Sequence, residues 1–376
     1  MKKIVILGST GSVGETALEV VRKYNDKFSV EFLSCKENVS KLEEQILEFK
    51  PKAVYVGNEN KAEEIKRKFP HLKIFSGKEE EEFLNIESDL IFNSISGISG
   101  VKPSLSALRD KRLIALSNKE TIVSGGELIK EYIDKIIPVD SEHSSLFQLL
   151  ESFKRENVKK LYITASGGPF LKKKIKRGLK REDVLNHPVW NMGGKISVDS
   201  ATMMNKVFEI IEAHYLFEFN ADDIEVVFHP QSFIHGAVEL KDGNIISLMS
   251  YPDMIFPVAY SLFYPERPKK KMREYSIFDF PKVEIIKPDF SKFELLELAY
   301  DVIKSKNGKG IVLNVSDEVA VKYFLKDKID FTDIFKIIKG VYQKYDFSKP
   351  DSFDKIIEIH KRVEEFTVNF IEEVIL

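Results

Sequence analysis

A single cysteine, Cys35, serves all 376 residues. No intrachain disulfide can form, which fits a reducing compartment and points to the cytoplasm. Long apolar runs are also missing. The opening stretch Ile4-Val5-Ile6-Leu7 stops at Gly8. That is far short of a membrane-spanning helix, and no small-residue cleavage site follows a full apolar stretch. It reads as a buried first strand. An excess of either charge is missing too. Lys and Arg number 57 against 59 Asp and Glu, for a net charge of −2. Near-neutrality gives no general attraction to nucleic acid or to an anionic membrane. What is present is enough apolar material, 43% of the chain, to bury sizeable cores and exclude wholesale disorder. The length suits two or three domains.

Along the first 140 residues, short apolar runs alternate with amphipathic stretches. Residues 3–7, 30–34, 53–56, 90–93, 113–116 and 136–139 read as strands. Residues 14–24 and 39–49 read as helices between them. This alternation predicts a parallel, doubly wound sheet. Further on, 158–164, 224–227, 237–240 and 245–248 read as strands of a second sheet, and 199–217 as a helix with Asp199 or Ser200 at its N-cap. From about residue 290 the spacing is purely helical and suggests a small bundle.

The first strand ends in Gly8-Ser9-Thr10-Gly11-Ser12-Val13-Gly14. Glycines between a strand and a helix let the backbone approach a pyrophosphate, and the helix N-terminus supplies amide hydrogens. An ordinary tight turn could carry the same letters. At the end of the second strand, Lys36 favours a 2′-phosphate and hence NADP. Glu37 beside it would repel that phosphate if it pointed inward.

Asp140 and Glu142 follow the last strand of this first region. On an extended segment they share one side, and an oxygen-rich pair suits Mg²⁺ or Mn²⁺. A solvent-exposed acidic turn would look the same. Asn205, Lys206 and Glu209 share one helix face. With Ser166 and Ser200 they have the composition of a phosphate pocket, although a capped helix with an ordinary Lys–Glu pair fits equally well.

Taken together, the blocks decide more than each alone. Gly8–Gly14 is joined by Ser117-Asn118-Lys119-Glu120, Val139-Asp140-Ser141-Glu142-His143, Ala165-Ser166-Gly167-Gly168-Pro169-Phe170 and His187-Pro188-Val189-Trp190-Asn191-Met192-Gly193. The long run from Lys195 to Lys206 and then His229-Pro230-Gln231-Ser232 complete the set. In this order they resemble the 1-deoxy-D-xylulose-5-phosphate reductoisomerase family. The resemblance implies an α/β fold in three parts: a Rossmann-like NADPH-binding domain at 1–145, an α/β catalytic domain at 146–270, and, after a linker at 271–289, a C-terminal α-helical bundle at 290–376. It implies reduction of a rearranged phosphorylated ketose to 2-C-methyl-D-erythritol 4-phosphate, an isoprenoid precursor, by a cytoplasmic homodimer.

Residue by residue, the resemblance puts a divalent metal on Asp140, Glu142 and Glu209. It puts catalysis on Lys119 and Glu142, and substrate on Lys119, Ser141, Glu142, Ser166, His187, Ser200, Asn205, Lys206 and Glu209; Trp190 is added to the substrate residues as part of the expected lid. NADPH falls to Thr10, Gly11, Ser12, Val13, Asn118, Glu120 and Gly193. The family usually has Gly-Lys-Asn at the 2′-phosphate turn, where this chain has Lys36-Glu37-Asn38, so Lys36 and Asn38 take that role. Residues 181–194 are expected to form a lid with Trp190 covering the substrate. Modification of Cys35, next to Lys36, is expected to impede NADPH. The basic run at 172–181 carries no nucleic-acid motif and reads as a solvated face.

Overall fold

The computed structural model describes residues 1–190, 193–280, 282–345 and 348–375. In chain order the elements begin with β1 (Lys2–Leu7), α1 (Ser12–Lys23), β2 (Phe28–Cys35), α2 (Val39–Phe49), β3 (Ala53–Val56), α3 (Glu59–Lys68) and β4 (Lys73–Ser76). Next come β5 (Leu90–Asn93), α4 (Val101–Arg109), β6 (Ile114–Leu116), α5 (Lys119–Gly125), β7 (Ile136–Pro138) and α6 (Ser141–Leu150). Then follow β8 (Val158–Ala165), α7 (Arg181–Leu185), α8 (Gly194–Thr202), α9 (Met204–Phe217), β9 (Ile224–Phe228), β10 (Ile234–Leu240) and β11 (Ile245–Met249). The chain closes with α10 (Ile255–Phe263), α11 (Leu296–Ser305), α12 (Lys309–Leu325), α13 (Phe331–Lys344) and α14 (Phe353–Val374). No helix among the described residues is long and apolar enough to cross a membrane.

Two compact units result. The first comprises Met1–Asn118, Tyr132–Ser144 and Asp253–Glu274. Its seven strands run in the order β4-β3-β2-β1-β5-β6-β7, all parallel. Ile4, Val5 and Ile6 are wholly buried, as a central strand covered on both faces requires. The strand order reverses around β1, which pairs with both β2 and β5. The crevice beyond the carboxyl ends at such a reversal is where doubly wound sheets take ligands. β4 is the strand that sequence patterning missed: at the sheet edge only Ile74 and Phe75 of its four residues are buried, so it lacks the continuous apolar run of the inner strands. Residues of the 253–274 segment brace α1, where Tyr24 meets Phe263 edge-on at 4.7 Å and Arg273 binds Glu19 and Asp253.

The second unit comprises Lys119–Glu131, Ser145–Pro252 and Tyr275–Leu376. Its four-stranded sheet has the order β11-β10-β8-β9, with β8 and β9 parallel and the other pairs antiparallel. α9 is buried along almost its whole length, and α5, α8 and α11 to α14 share this unit.

Candidate active site

The glycine loop is shaped by contact. Gly8 has φ +78°, and a Cβ on Gly14 would lie 2.4 Å from the Gly8 carbonyl oxygen and 2.7 Å from Ser9 Cα. Only glycine allows α1 to start so close to β1. Gly11 stands at the N-cap with no side chain to cap the helix, so the first-turn amides are left for an external acceptor. Ser9 pins the loop from below, donating to Gln45 Oε1 at 2.7 Å. Thr10, Gly11, Ser12 and Val13 thus make up a close-packed loop and first helical turn whose amides suit an anion.

Because every strand of this sheet is parallel, the turns after β1, β2, β6 and β7 lie along one edge. Asn118 is buried there and donates to the Ile95 and Gly97 carbonyls at 2.9 and 2.8 Å, fixing the loop after β5. After β2, Lys36 and Asn38 are exposed, and Asn38 caps α2 by accepting from Lys41 N. Glu37 does not stand alone: Asn58 Nδ2 donates to its carboxylate at 3.1 Å, and Lys61 Nζ lies 3.2 Å from the same oxygen. These two partners hold the Glu37 carboxyl below its usual range. Lys61 escaped the sequence reading because it belongs to the first turn of α3, after the next strand, although a parallel sheet makes such helix starts neighbours. Cys35 corrects an expectation. Its side chain is buried, and burial pushes its thiol up to about 12. A buried thiol with a raised pKa is a weak nucleophile, so modification of Cys35 requires the end of β2 to open.

Asp140 and Glu142 are not on one extended segment. A helix, α6, starts at Ser141, so Asp140 precedes it and Glu142 lies in its first turn. Asp140 accepts from Ser141 N through Oδ1 at 3.1 Å, and Ser141 Oγ donates to Glu142. The sequence Asp-Ser-Glu favours such a helix start, because side-chain acceptors and negative charge suit its N-terminus.

In the second unit the structure gathers four expected residues. Lys119, the first residue of α5, donates to Asn205 Oδ1 at 2.8 Å and Glu209 Oε1 at 3.0 Å. Asn205 and Lys206 also donate to Glu209, and Lys206 reaches the Thr164 carbonyl of β8. Glu209 is wholly buried and Lys206 nearly so. A carboxylate can be buried at this depth because two ammonium groups face it. Its hard oxygens suit Mg²⁺ or Mn²⁺.

Ser166 opens the turn after β8. His187 is neutral, its pKa lowered to about 4 by burial. Its Nδ1 accepts from the amides of Val189 and Trp190 at 3.2 and 2.9 Å, so the ring proton is on Nε2, 3.0 Å from Ser166 Oγ. Gly168 N also donates to Ser166 Oγ, at 3.2 Å. With two donors aimed at its oxygen, the Ser166 hydroxyl directs its own proton outward, as an anion requires. Gly167 and Gly168 have φ of +84° and +63°, and a Cβ on Gly168 would lie 2.6 Å from the Ser200 carbonyl. The turn therefore rests on the end of α8 that carries Ser200.

Ser200 is a second correction. The expected single helix is two, α8 and α9, separated by Met203 at φ +68°. Neither Asp199 nor Ser200 is an N-cap; both lie in the last turns of α8. Asp199 instead takes an ion pair from Lys195 at 2.7 Å, and Lys195 also lies 3.1 Å from Asp317 of α12 and 3.5 Å from Glu120. This buried cluster ties α8, α5 and α12 together, and no sequence pattern marks Asp317 as its member. Gly193 is exposed at the start of α8, and a Cβ placed on it would meet nothing within 4 Å. Trp190 is half-buried, its ring 6.4 Å from that of His235. Asn191 and Met192 of the expected lid lie outside the described residues.

Family models for 1-deoxy-D-xylulose 5-phosphate reductoisomerase match residues 4–126, and models of its C-terminal domains match 136–217 and 249–366. The reductoisomerase of Sulfurihydrogenibium sp. (strain YO3AOP1) is 44% identical over 100% of this chain and 98% of its own length. That of Persephonella marina is 41% identical over 99% of both chains. Among solved structures, a DOX-P reductoisomerase in complex with NADPH, fosmidomycin and magnesium superposes with a TM-score of 0.91 at 32% identity, covering 99% of this chain and all of that one. The Zymomonas mobilis enzyme in complex with NADPH gives 0.91 at 31% identity over 99% of this chain. With full-length identity at this level and the glycine cradle, lysine pair and buried carboxylate all in place, the chain belongs to the 1-deoxy-D-xylulose 5-phosphate reductoisomerase family.

Proposed function

We propose that this chain is an NADPH- and metal-dependent enzyme that converts 1-deoxy-D-xylulose 5-phosphate to 2-C-methyl-D-erythritol 4-phosphate in isoprenoid biosynthesis. The observation that carries this reading is the cluster of Lys119, Asn205, Lys206 and Glu209, built around one fully buried carboxylate. NADPH supplies the hydride, and Mg²⁺ or Mn²⁺ supplies Lewis acidity toward the substrate oxygens.

The chain's own residues do the rest. Asp140, Glu142 and Glu209 hold the cation with carboxylate oxygens. Ser166, Ser200, Asn205 and Lys206 bind the phosphate, with His187 fixing the Ser166 hydroxyl. Phosphate is remote from the reacting carbons, so this binding energy orients them. Lys119 stabilises negative charge that develops on the substrate oxygen, and Glu142 moves protons at the same locus. Ser141 supports Glu142 by donating to its carboxylate. Thr10 to Val13, Lys36, Asn38, Asn118, Glu120 and Gly193 serve NADPH, and Trp190 in a lid at 181–194 excludes water. Along the chain we propose three parts, 1–145, 146–270 and 290–376 with a linker at 271–289; residues from more than one part bring the cofactor, metal and substrate contacts.

We further place the enzyme in the cytoplasm as a homodimer. The single cysteine supports the first. For the second, β11 is an edge strand with Ile245 62% and Met249 38% exposed, followed by Tyr251 at 50%. An apolar strand edge is a template for pairing. The test of function is NADPH oxidation followed at the nicotinamide absorbance. Oxidation is expected only when 1-deoxy-D-xylulose 5-phosphate and a divalent cation are both present, and EDTA should stop it. Oxidation that is indifferent to metal would reject the reading.

A further inference from the structure

The turn after β2 holds a contradiction that the neighbouring turn resolves. An acid at this position of a doubly wound sheet takes the ribose 2′-hydroxyl of NAD, whereas a cation takes the 2′-phosphate of NADP. This chain has both, Lys36 and Glu37, side by side. A bare Glu37 carboxylate would repel a 2′-phosphate.

Glu37 is not bare. β2 and β3 are parallel neighbours with Cys35 opposite Val56, so their two turns leave the sheet together. The backbone joins them: Gly57 N donates to Cys35 O at 2.9 Å and Asn58 N to Lys36 O at 3.1 Å. Asn58 caps α3 with its Oδ1 and uses its Nδ2 to donate to Glu37. One turn of helix further, Lys61 Nζ donates to the Glu37 backbone carbonyl at 2.8 Å and lies 3.2 Å from its carboxylate. A single ammonium thus holds both the backbone and the side chain of Glu37. With Lys36 and Lys61 against Glu37, the local sum is one positive charge.

We propose that Lys61 sets cofactor specificity: by neutralising Glu37 it converts a turn that would otherwise prefer an unphosphorylated ribose into one that accepts a 2′-phosphate. The inference rests on the cofactor reading above and assigns a task to a residue outside the family's blocks. Lys61 acts through Glu37 and is a positioning residue.

The test is calorimetric titration of the full chain with adenosine 2′,5′-bisphosphate and with adenosine 5′-monophosphate at low salt, where screening is weak. The wild type should prefer the bisphosphate. Lys61→Met should cut that preference by about fivefold while leaving monophosphate affinity nearly unchanged, and Lys61→Arg should restore it. Glu37→Gln should raise the preference, and in that background Lys61→Met should lose most of its effect. An unchanged ratio in Lys61→Met overturns the proposal. So does an equal loss for both ligands, which would make Lys61 a staple of the two turns only. Failure of the wild type to bind either ligand would instead overturn the cofactor-site reading itself.

Discussion

His187 gives its Nε2 proton to Ser166 because its Nδ1 is already committed to the amides of Val189 and Trp190. That relationship fixes the direction of the Ser166 hydroxyl before any substrate arrives. Ser166→Ala and His187→Gln should each lower kcat/KM by about 10- to 100-fold, the usual effect of losing a hydrogen bond to a charged group. Steady-state kinetics on the phosphorylated substrate checks this. Burial holds the His187 pKa near 4, below the ordinary 6.5, so the unfolded chain binds more protons between those values. Stability is therefore complete above about pH 6.5 and is lost as pH falls toward 4. Thermal melts across that window should show a shallower acid slope in His187→Gln.

Glu209 is buried against two lysines. Replacing it with Gln keeps the shape but removes the charge that Lys119 and Lys206 share. Glu209→Gln should weaken Mg²⁺ binding by roughly 100-fold or more. A direct titration with Mn²⁺, read by its paramagnetic signal, is the check. Unchanged affinity would remove Glu209 from the metal.

Gly14 has no room for a side chain. In Gly14→Ala the new methyl would meet the Gly8 carbonyl at 2.4 Å, so α1 or the loop must move. Overpacking of this kind costs about 1–3 kcal/mol. NADPH affinity should fall at least tenfold, measured by fluorescence of the bound nicotinamide, while substrate-free secondary structure by circular dichroism is retained.

Lys195 places its ammonium among three buried carboxylates, Glu120, Asp199 and Asp317. Burial opposes its charge, yet those acids outweigh burial and hold its pKa well above the ordinary value. Burial and the neighbouring Asp199 push the Asp317 carboxyl well upward. Lys195→Met should cost about 3–5 kcal/mol, because it strands the acids. Asp317→Asn, which mimics the protonated acid, should cost far less. Denaturant unfolding of both variants makes the comparison.

Much of this was legible in the sequence, for physical reasons. The continuous apolar run of β1 and the glycines after it announce a buried parallel strand and a close helix start. Lys119, Asn205, Lys206 and Glu209 were readable because three of them share a helix face and the fourth lies in the block Ser117-Asn118-Lys119-Glu120. Other features depend on neighbours distant in the chain. Met203 breaks one expected helix into α8 and α9 through a left-handed backbone that no propensity of methionine signals. Asp317 and Lys61 matter only because α12 and the β3 turn pack beside α8 and the β2 turn. The burial of Cys35 likewise follows from its place at the end of a central strand, not from its neighbours in sequence.

The central claim is that this chain rearranges its substrate's carbon skeleton as well as reducing it. The most direct measurement is the carbon NMR spectrum of the product formed from ¹³C-labelled 1-deoxy-D-xylulose 5-phosphate with NADPH and Mg²⁺. The account predicts the branched skeleton of 2-C-methyl-D-erythritol 4-phosphate, with one NADPH oxidised per molecule formed. An unbranched reduced sugar phosphate, or no turnover with metal and cofactor present, would contradict it.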